Sequence, residues 1–225
     1  MLTEEENQFI QECIPFYAHL NIDELEQLNQ AITRRFLTKG DKLSHLNDSC
    51  SGLVIVESGR IRAYIMSEDG REITLFRLLE KEICLLTASC MFQNVNFSVQ
   101  FEVEKESKVF FIPTSVFEEI SSYNIHVKEY VLEQMTSRFS SVMWVMEQVV
   151  FGSLSKRVAG FILAQTALEN SKTLTITHEA IAKNIGSARE VVSRMLKHIE
   201  SDCIIHTARG TLVVDDMEKL KELAK

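Results

Sequence analysis

The sequence lacks the features of several specialised protein classes. Its five cysteines are too few and too scattered for a disulfide scaffold, and their odd number indicates reduced thiols. One long uncharged run, residues 83–101, contains too many polar side chains to span a membrane. The first residues are acidic, whereas a secretion signal begins with basic residues. With 45% hydrophobic and 25% charged residues, the 225-residue chain is expected to be a cytoplasmic globular protein of one or two domains.

Charge is divided unevenly along the chain, whose net charge is −8. Residues 1–150 carry 13 Lys and Arg against 23 Asp and Glu, and residues 151–225 carry 11 against 9. The C-terminal part is therefore the part suited to a polyanionic partner.

The N-terminal half is predicted to begin with helices and to continue as short strands. Residues 21–24 form a capping box ahead of a helical pattern. The apolar run at residues 53–56 is followed by Glu57-Ser58-Gly59, which we interpret as a turn, and residues 67–70 as a hairpin turn. Apolar and polar residues alternate over residues 95–103, as in a strand with one buried face. This pattern predicts a small antiparallel barrel or roll.

A long helix is predicted next, because residues 124–151 contain no Gly or Pro. Its apolar residues recur with the alternating spacings of 3 and 4 that are typical of a coiled-coil seam and of a homodimer. The seam consists of Leu132, Met135, Phe139, Val142, Met146 and Val149. The alternative is a helix that packs on its own barrel. Phe151-Gly152-Ser153 would end the helix and act as a hinge.

The C-terminal part has the pattern of a winged helix-turn-helix. A helix at residues 154–168 and a short strand at 174–176 precede two helices around a tight turn. Residues 204–206 and 211–214 then form a hairpin wing around Arg209-Gly210.

The second of the two clustered helices presents one polar strip. Thr177 and Ser187 are expected to cap the two helices, and Gly186 to supply the positive φ of the turn. On a helical wheel, five polar side chains fall within an arc of about 140°. These are Arg189, Glu190, Ser193, Arg194 and Lys197. Such groups can read base edges in a major groove.

The same helix also has a purely structural interpretation. Ser187 and Glu190 have the spacing of a capping box, and basic residues on an exposed helix face are usually just solvated.

These motifs resemble the Crp/Fnr superfamily of bacterial transcription regulators. The resemblance covers nearly the whole chain and rests on Lys39-Gly40-Asp41, on residues 56–62, on the long helix and most specifically on residues 189–194. It implies an α+β fold with three parts. These are a cyclic-nucleotide-binding-like antiparallel β-roll (residues 1–123), a dimerisation helix (124–151) and a winged helix-turn-helix (152–225).

The resemblance also implies how DNA would be read. Arg194 would contact guanine, Glu190 the paired cytosine, Ser193 a thymine and Thr177 a phosphate. The Glu-x-x-Ser-Arg pattern is similar to the Fnr branch, with TTGA half-sites in an inverted repeat, whereas Arg189 is similar to the Crp branch, with TGTGA. RNA polymerase is the expected protein partner. We also expect phosphate contacts from four basic residues, Lys156, Arg157, Lys183 and Lys197.

The sensor is expected to bind something other than cyclic AMP. The family's phosphate cassette begins with Gly-Glu, but here it begins with Lys81-Glu82, and no Lys or Arg lies between Lys81 and Lys105. A buried phosphate would lack a cationic partner. Cys84 and Cys90 are sensor candidates through a dithiol, an iron–sulfur cluster or a haem, although buried cysteines usually only pack.

Other functions have weaker support in the sequence. No clear metal site is found, and a cysteine-dependent enzyme would need a histidine motif near Cys84 or Cys90 that the sequence lacks. A ligand-binding module whose winged domain contacts a protein is the remaining alternative.

Overall fold

The computed structural model describes residues 2–43, 52–85 and 99–225. The chain forms two compact units. The first comprises Met1–Tyr64 and Leu75–Ser141, and the second comprises Ile65–Thr74 and Val142–Lys225. Among the helices of the described ranges, none is long and apolar enough to cross a membrane.

The N-terminal part begins with helices, continues with the strands of one antiparallel sheet and ends with two further helices. In chain order its elements are α1 (Glu4–Cys13), a 3₁₀ turn (Tyr17–His19), α2 (Ile22–Ala31), β1 (Thr33–Leu37), β2 (Leu53–Met66), β3 (Glu72–Leu78), β4 (Ile83–Cys84), β5 (Gln100–Ile112), α3 (Thr114–Tyr123) and α4 (Ile125–Phe151). The C-terminal part contains α5 (Leu154–Glu169), β6 (Thr173–Thr175), α6 (His178–Ile185), α7 (Arg189–Ser201), β7 (Ile205–Ala208), β8 (Thr211–Val214) and α8 (Met217–Leu223).

The first two helices begin with reciprocal caps. Asn21 and Glu24 form the predicted capping box of α2, and Thr3 and Glu6 form a second one at α1. The backbone N–H of Thr3 donates to the Glu6 carboxylate and lowers the pKa of Glu6 below its ordinary value. Each box satisfies two amide groups that would otherwise lack a partner at the helix start.

The position of strand β2 inside the sheet explains why its first four residues are all apolar. The described strands pair in the order β1-β5-β2-β3, and β4 also pairs with β2. Leu53 and Ile55 pack with the N-terminal helices, whereas Val54 and Val56 face the interior of the roll. Because both faces of this segment are buried, the strand has no polar alternation. The antiparallel roll predicted from the sequence is confirmed.

The turn predicted at Glu57-Ser58-Gly59 is wrong. Strand β2 continues through these residues, and its register with β5 shifts there. Gly59 has φ +102°, and a Cβ at this position would collide with Ser107. The Ser107 hydroxyl accepts a hydrogen bond from the Arg60 N–H at 3.1 Å. The glycine therefore marks an irregularity inside a strand rather than its end.

Two other predictions for the strands concern the turn at residues 67–70 and the alternating segment at residues 95–103. The hairpin turn at residues 67–70 is confirmed, since β2 ends at Met66, β3 starts at Glu72 and the Gly70 N–H donates to the Ser67 carbonyl. Of the alternating segment 95–103, residues 95–98 lie outside the described ranges. Phe101 and Val103 are buried in β5 as the alternation predicts.

Helix α4 covers almost the same residues as the predicted long helix, and its apolar seam is only partly exposed. Leu132, Phe139 and Met146 are 68%, 67% and 55% exposed. Met135, Val142 and Val149 are half-buried, and Met135 packs against the N-terminal cores. Other large apolar side chains of this helix that are exposed in the single chain are Ile125, Met143, Trp144, Val150 and Phe151.

The second unit has its own apolar core beneath a three-stranded sheet. The strands pair in the order β6-β8-β7, and β7 and β8 form the predicted wing hairpin. The helices α5, α6 and α7 also lie where the sequence predicts them. Helix α8 was not predicted, and its Leu220 is fully buried in this core.

Candidate nucleic-acid interface

Helices α6 and α7 are joined by a tight turn that the sequence builds with local interactions. The Thr177 hydroxyl accepts a hydrogen bond from the Ala180 N–H at 3.1 Å and caps α6, as predicted. The helix ends at Gly186, which has φ +66°. The N–H groups of Gly186 and Ser187 both donate to the Ala182 carbonyl. Only three residues then separate the end of α6 from the start of α7, which is the spacing of a helix-turn-helix.

The prediction that Ser187 caps the second helix is wrong. Ala188 occupies the N-cap position of α7, and no side chain caps this helix start. The turn ends one residue later than the sequence pattern suggests, so the Ser187 side chain is too early to reach the first amide groups. The capping box with Glu190 therefore does not form, and the exposed Glu190 carboxylate is available for other contacts.

The predicted polar strip of α7 lies on one face of the helix. Its side chains line one shallow depression, formed by Arg189, Glu190, Ser193, Arg194 and Lys197. Ser193 is half-buried and the other four are exposed. The opposite face buries Val192, Leu196 and Ile199 in the core of the unit. The structure therefore brings two arginines, a lysine, a carboxylate and a hydroxyl together on a surface the width of one helix.

The wing contributes a residue that the sequence reasoning did not assign to the site. Arg209, at the tip of the hairpin, lines a cleft together with Thr177, His178 and Arg189. The turn Arg209-Gly210 was recognised in the sequence only as a hairpin. A basic residue at the tip of a predicted wing was the only signal in the sequence, and it does not reveal which groups Arg209 lies beside. The start of α6, the start of α7 and the wing tip thus surround one cleft.

Glu200 fixes the base of this wing to α7. Its Oε1 accepts a hydrogen bond from the Thr207 N–H at 2.7 Å, and the Thr207 hydroxyl lies 3.3 Å from both carboxylate oxygens. This contact joins the last turn of α7 to strand β7, two residues before Arg209.

The expected phosphate contacts lie in different environments. Lys197 is exposed, Lys156 is half-buried, and Lys183 lies 3.8 Å from Glu72 on the hairpin tip that belongs to the same unit. The guanidinium of Arg157 instead donates to a backbone carbonyl, that of Ile185, at 3.0 Å. The prediction that Arg157 binds a phosphate is therefore not supported by its geometry.

Of the two sensor candidates, Cys84 lies in the described part of the chain and Cys90 does not. Cys84 is completely buried in the roll interior, and Cys13 is buried in the core beneath the N-terminal helices. Cys90 and Cys50 lie outside the described residues. Burial raises the pKa of the Cys13 thiol. Within residues 2–43, 52–85 and 99–225, no cluster of three or more His, Cys, Asp or Glu side chains could hold a metal ion.

Helix α4 places one cationic side chain, that of Arg138, close to the roll. The sequence reasoning did not identify this residue. The guanidinium carbon of Arg138 lies 4.4 Å from the centre of the Phe76 ring, and its Nη2 lies 3.5 Å from the Ile83 carbonyl oxygen. Arg138 lies far along the chain from residues 81–105, so the sequence gives no local signal of this contact.

Comparison with known proteins assigns both halves of the chain. The family model of the cyclic nucleotide-binding domain matches residues 34–124. The family model of the Crp-like helix-turn-helix domain matches residues 156–223.

Relatives cover almost the full length of the chain. The anaerobic regulatory protein of Haemophilus influenzae is 26% identical over 94% of this chain and 83% of its own length. The cAMP-activated global transcriptional regulator Vfr of Pseudomonas aeruginosa is 26% identical over 84% of this chain and 92% of its own length. The crystal structure of a transcriptional regulator of the Crp/Fnr family from Eubacterium rectale has 36% identity and a TM-score of 0.91, and the match covers 95% of this chain and 99% of that one. The chain belongs to the Crp/Fnr family: it is a transcription regulator, not an enzyme, and binds DNA through its helix-turn-helix.

Proposed function

We propose that the protein acts as a homodimer that reads an inverted repeat with TTGA-like half-sites, and that its roll responds to a signal other than cyclic AMP. The observation that carries the DNA-reading part is the exposed strip of α7. Because DNA is its target, we place the protein in the cytoplasm, with RNA polymerase as the expected protein partner. The division at residues 123/124 and 151/152 into roll, dimer helix and DNA-binding domain belongs to the same proposal.

The strip supplies the chemistry for reading a guanine–cytosine pair. A guanidinium such as that of Arg194 can donate two hydrogen bonds to guanine O6 and N7, and a carboxylate such as that of Glu190 can accept from the cytosine amino group. Neither side chain is held by a hydrogen bond or an ion pair within the described chain, so both can turn toward a base. Ser193 lies on the same face and can adapt to a neighbouring base.

The cleft beside the strip is suited to the DNA backbone. The first amide groups of α6 lack intrahelical partners, and the helix dipole favours an anion at that end. Thr177 uses its oxygen as an acceptor, which leaves its O–H free to donate to a phosphate. Arg189 and Arg209 add positive charge to the lining of the same cleft, which also includes Glu179. We propose that Ser187 and Lys197 contact DNA at the edges of this surface.

The exposed face of α4 supports a dimer whose seam differs from the predicted one at every second position, where the residue is the next one along the chain. The positions Leu132, Thr136, Phe139, Met143, Met146 and Val150 follow the spacing of a coiled coil and are all exposed in the single chain. Five of the six are apolar, and a second copy of the helix would remove them from water. Met135, Val142 and Val149, which are half-buried in the single chain, then lie outside the seam.

The proposal that the roll responds to a signal other than cyclic AMP rests on the lack of cations between Lys81 and Lys105 and on the burial of Cys84. No Lys or Arg lies between Lys81 and Lys105, and Arg138 already contacts Phe76 and the Ile83 carbonyl. Complete burial of Cys84 supports packing more than oxidation, so a small effector is the signal we favour.

The test is binding to a fluorescent TTGA-N6-TCAA duplex by protein that was purified without oxygen, measured before and after mild oxidation. Selection from random DNA with the same protein identifies the half-site if it differs. We expect an enriched inverted repeat with GA in each half-site and binding that oxidation leaves unchanged. Enrichment of no sequence would contradict the DNA-reading proposal. Loss of binding on oxidation would instead favour the cysteines as the sensor.

Two variants separate base reading from backbone binding. Arg194→Ala should cost about 1–3 kcal/mol on the cognate duplex and relax the preference at its base pair. Arg209→Ala is the matched control, because loss of a phosphate contact weakens binding to all sequences alike. An unchanged sequence preference in Arg194→Ala would refute the assignment of this residue.

A further inference from the structure

Arg157 lies in the first turns of α5, and its side chain reaches the end of α6. Its Nη1 donates to the carbonyl oxygen of Ile185 at 3.0 Å. Ile185 is the last residue of α6 and directly precedes Gly186 in the turn to α7. One side chain thus connects the helix that follows the hinge to the joint of the helix-turn-helix.

This carbonyl is a group for which the helix itself supplies no donor. The last four carbonyls of a helix lack intrahelical partners, and the negative end of the helix dipole favours a cation. The turn satisfies the Ala182 carbonyl through the N–H groups of Gly186 and Ser187. The Ile185 carbonyl receives its donor from Arg157. A charged donor at this point strengthens the contact relative to a neutral one.

Part of the guanidinium of Arg157, a half-buried residue, is withdrawn from solvent. Nε of Arg157 is buried and has no hydrogen-bond partner among the residues that the structure describes. The side chain is therefore directed into the joint, whereas Arg189, Arg194 and Lys197 project from the surface. Swinging it outward to a phosphate would remove the donor from a helix end.

We propose that Arg157 is a positioning residue: it fixes the turn between α6 and α7 and thereby the direction in which α7 enters the major groove. This inference rests on the proposed DNA-reading function. A residue with this role affects the fit to the cognate site, which requires α7 at one angle. It contributes little to nonspecific binding, which depends on the number of phosphates contacted.

The experiment compares Arg157→Met with Lys156→Met, which removes a charge from the adjacent residue and leaves a similar stem. For each full-length variant, affinity is measured on the selected palindrome and on an unrelated duplex at several salt concentrations. For Arg157→Met we expect a loss on the order of tenfold on the palindrome. We expect nearly unchanged nonspecific binding and an unchanged salt slope. For Lys156→Met we expect equal losses on both duplexes and a slope that falls by about 0.9 for each lost phosphate contact.

Arg157→Lys keeps a charged donor and should recover most of the specificity. If Arg157→Met fails to fold by circular dichroism, Arg157→Lys decides with the same measurement: a partial loss confined to the palindrome supports the proposal. Equal losses on both duplexes, a smaller salt slope or no loss at all would overturn it. Wild-type protein that selects no DNA sequence would overturn the proposed function, and the role of Arg157 with it.

Discussion

Two glycines of the second unit differ sharply in whether they can accept a Cβ. Gly186 adopts φ +66°, and a Cβ there would also meet the side chain of Ile73. Gly160, in the middle of α5, has no heavy atom within 4 Å of an added Cβ. The two glycines therefore serve as a matched pair in the same unit.

Gly186→Ala should destabilise the protein by about 1–2 kcal/mol, because an L-residue in the left-handed region carries that cost before any clash. Gly160→Ala should stabilise it by up to about 1 kcal/mol, because alanine is the better helix former. Urea unfolding of both variants measures the difference. Equal midpoints for the two variants would contradict this account of the turn.

The residues that sequence patterns identified correctly are those whose role is local. Thr177 precedes its helix by one residue, and Gly186 marks a positive φ, so both could be recognised from neighbours in the chain. Ser187 was assigned to a cap that the turn places one residue later. Arg157, Arg209 and Arg138 act on groups far away in the sequence, and no spacing rule reveals such contacts.

At the scale of the element, strand boundaries were harder to predict than helix boundaries. The long helix has no helix breaker inside it, so its extent could be predicted almost to the residue. In β2, Gly59 has the local signature of a turn, but pairing with β5 on both sides of it keeps the strand continuous. Long-range pairing decides this case, and a single sequence does not show it.

The two possible seams of α4 make different predictions about the proposed dimer. Met143 belongs to the seam that is exposed in the structure and not to the one first predicted, and Ser137 is exposed outside both. Met143→Glu should dissociate the dimer, because it would place a charge at the centre of an apolar seam. Ser137→Glu should leave it intact. Sedimentation velocity at micromolar concentration checks both, and a dimer that persists in Met143→Glu would refute the shifted seam.

Burial in separate elements also predicts the reactivity of the thiols. Cys203 is exposed, whereas Cys13 and Cys84 are buried, and burial raises the pKa of Cys13. Less of the Cys13 thiol is therefore ionised at neutral pH, and the thiolate is the form that reacts. Peptide-resolved alkylation should label Cys203 before Cys13 and Cys84. Labelling of Cys13 as fast as Cys203 would show that the N-terminal core opens readily.

For the whole molecule, the uneven charge sets how strongly binding depends on salt. The net charge is −8, yet the DNA-binding part is slightly basic, so affinity for DNA comes from a small local surface. We expect affinity for the palindrome to fall steadily as salt increases. The salt slope should be smaller for Arg209→Ala by about 0.9 per lost contact. Salt-independent binding would rule out backbone contacts by the wing cleft.

The path of strands β2 and β3 has a consequence for how this protein can be dissected. The tip of their hairpin, residues 65–74, belongs to the C-terminal unit, where Ile73 pairs with Ile185 and covers Gly186. The chain therefore enters that unit, leaves it and returns much later. A fragment beginning at Gly152, after the end of α4, would carry the DNA-reading helix but would lose the lining of its own turn. No single cut yields two complete units, so genetic truncation and limited proteolysis would each produce a piece that is missing part of its surface.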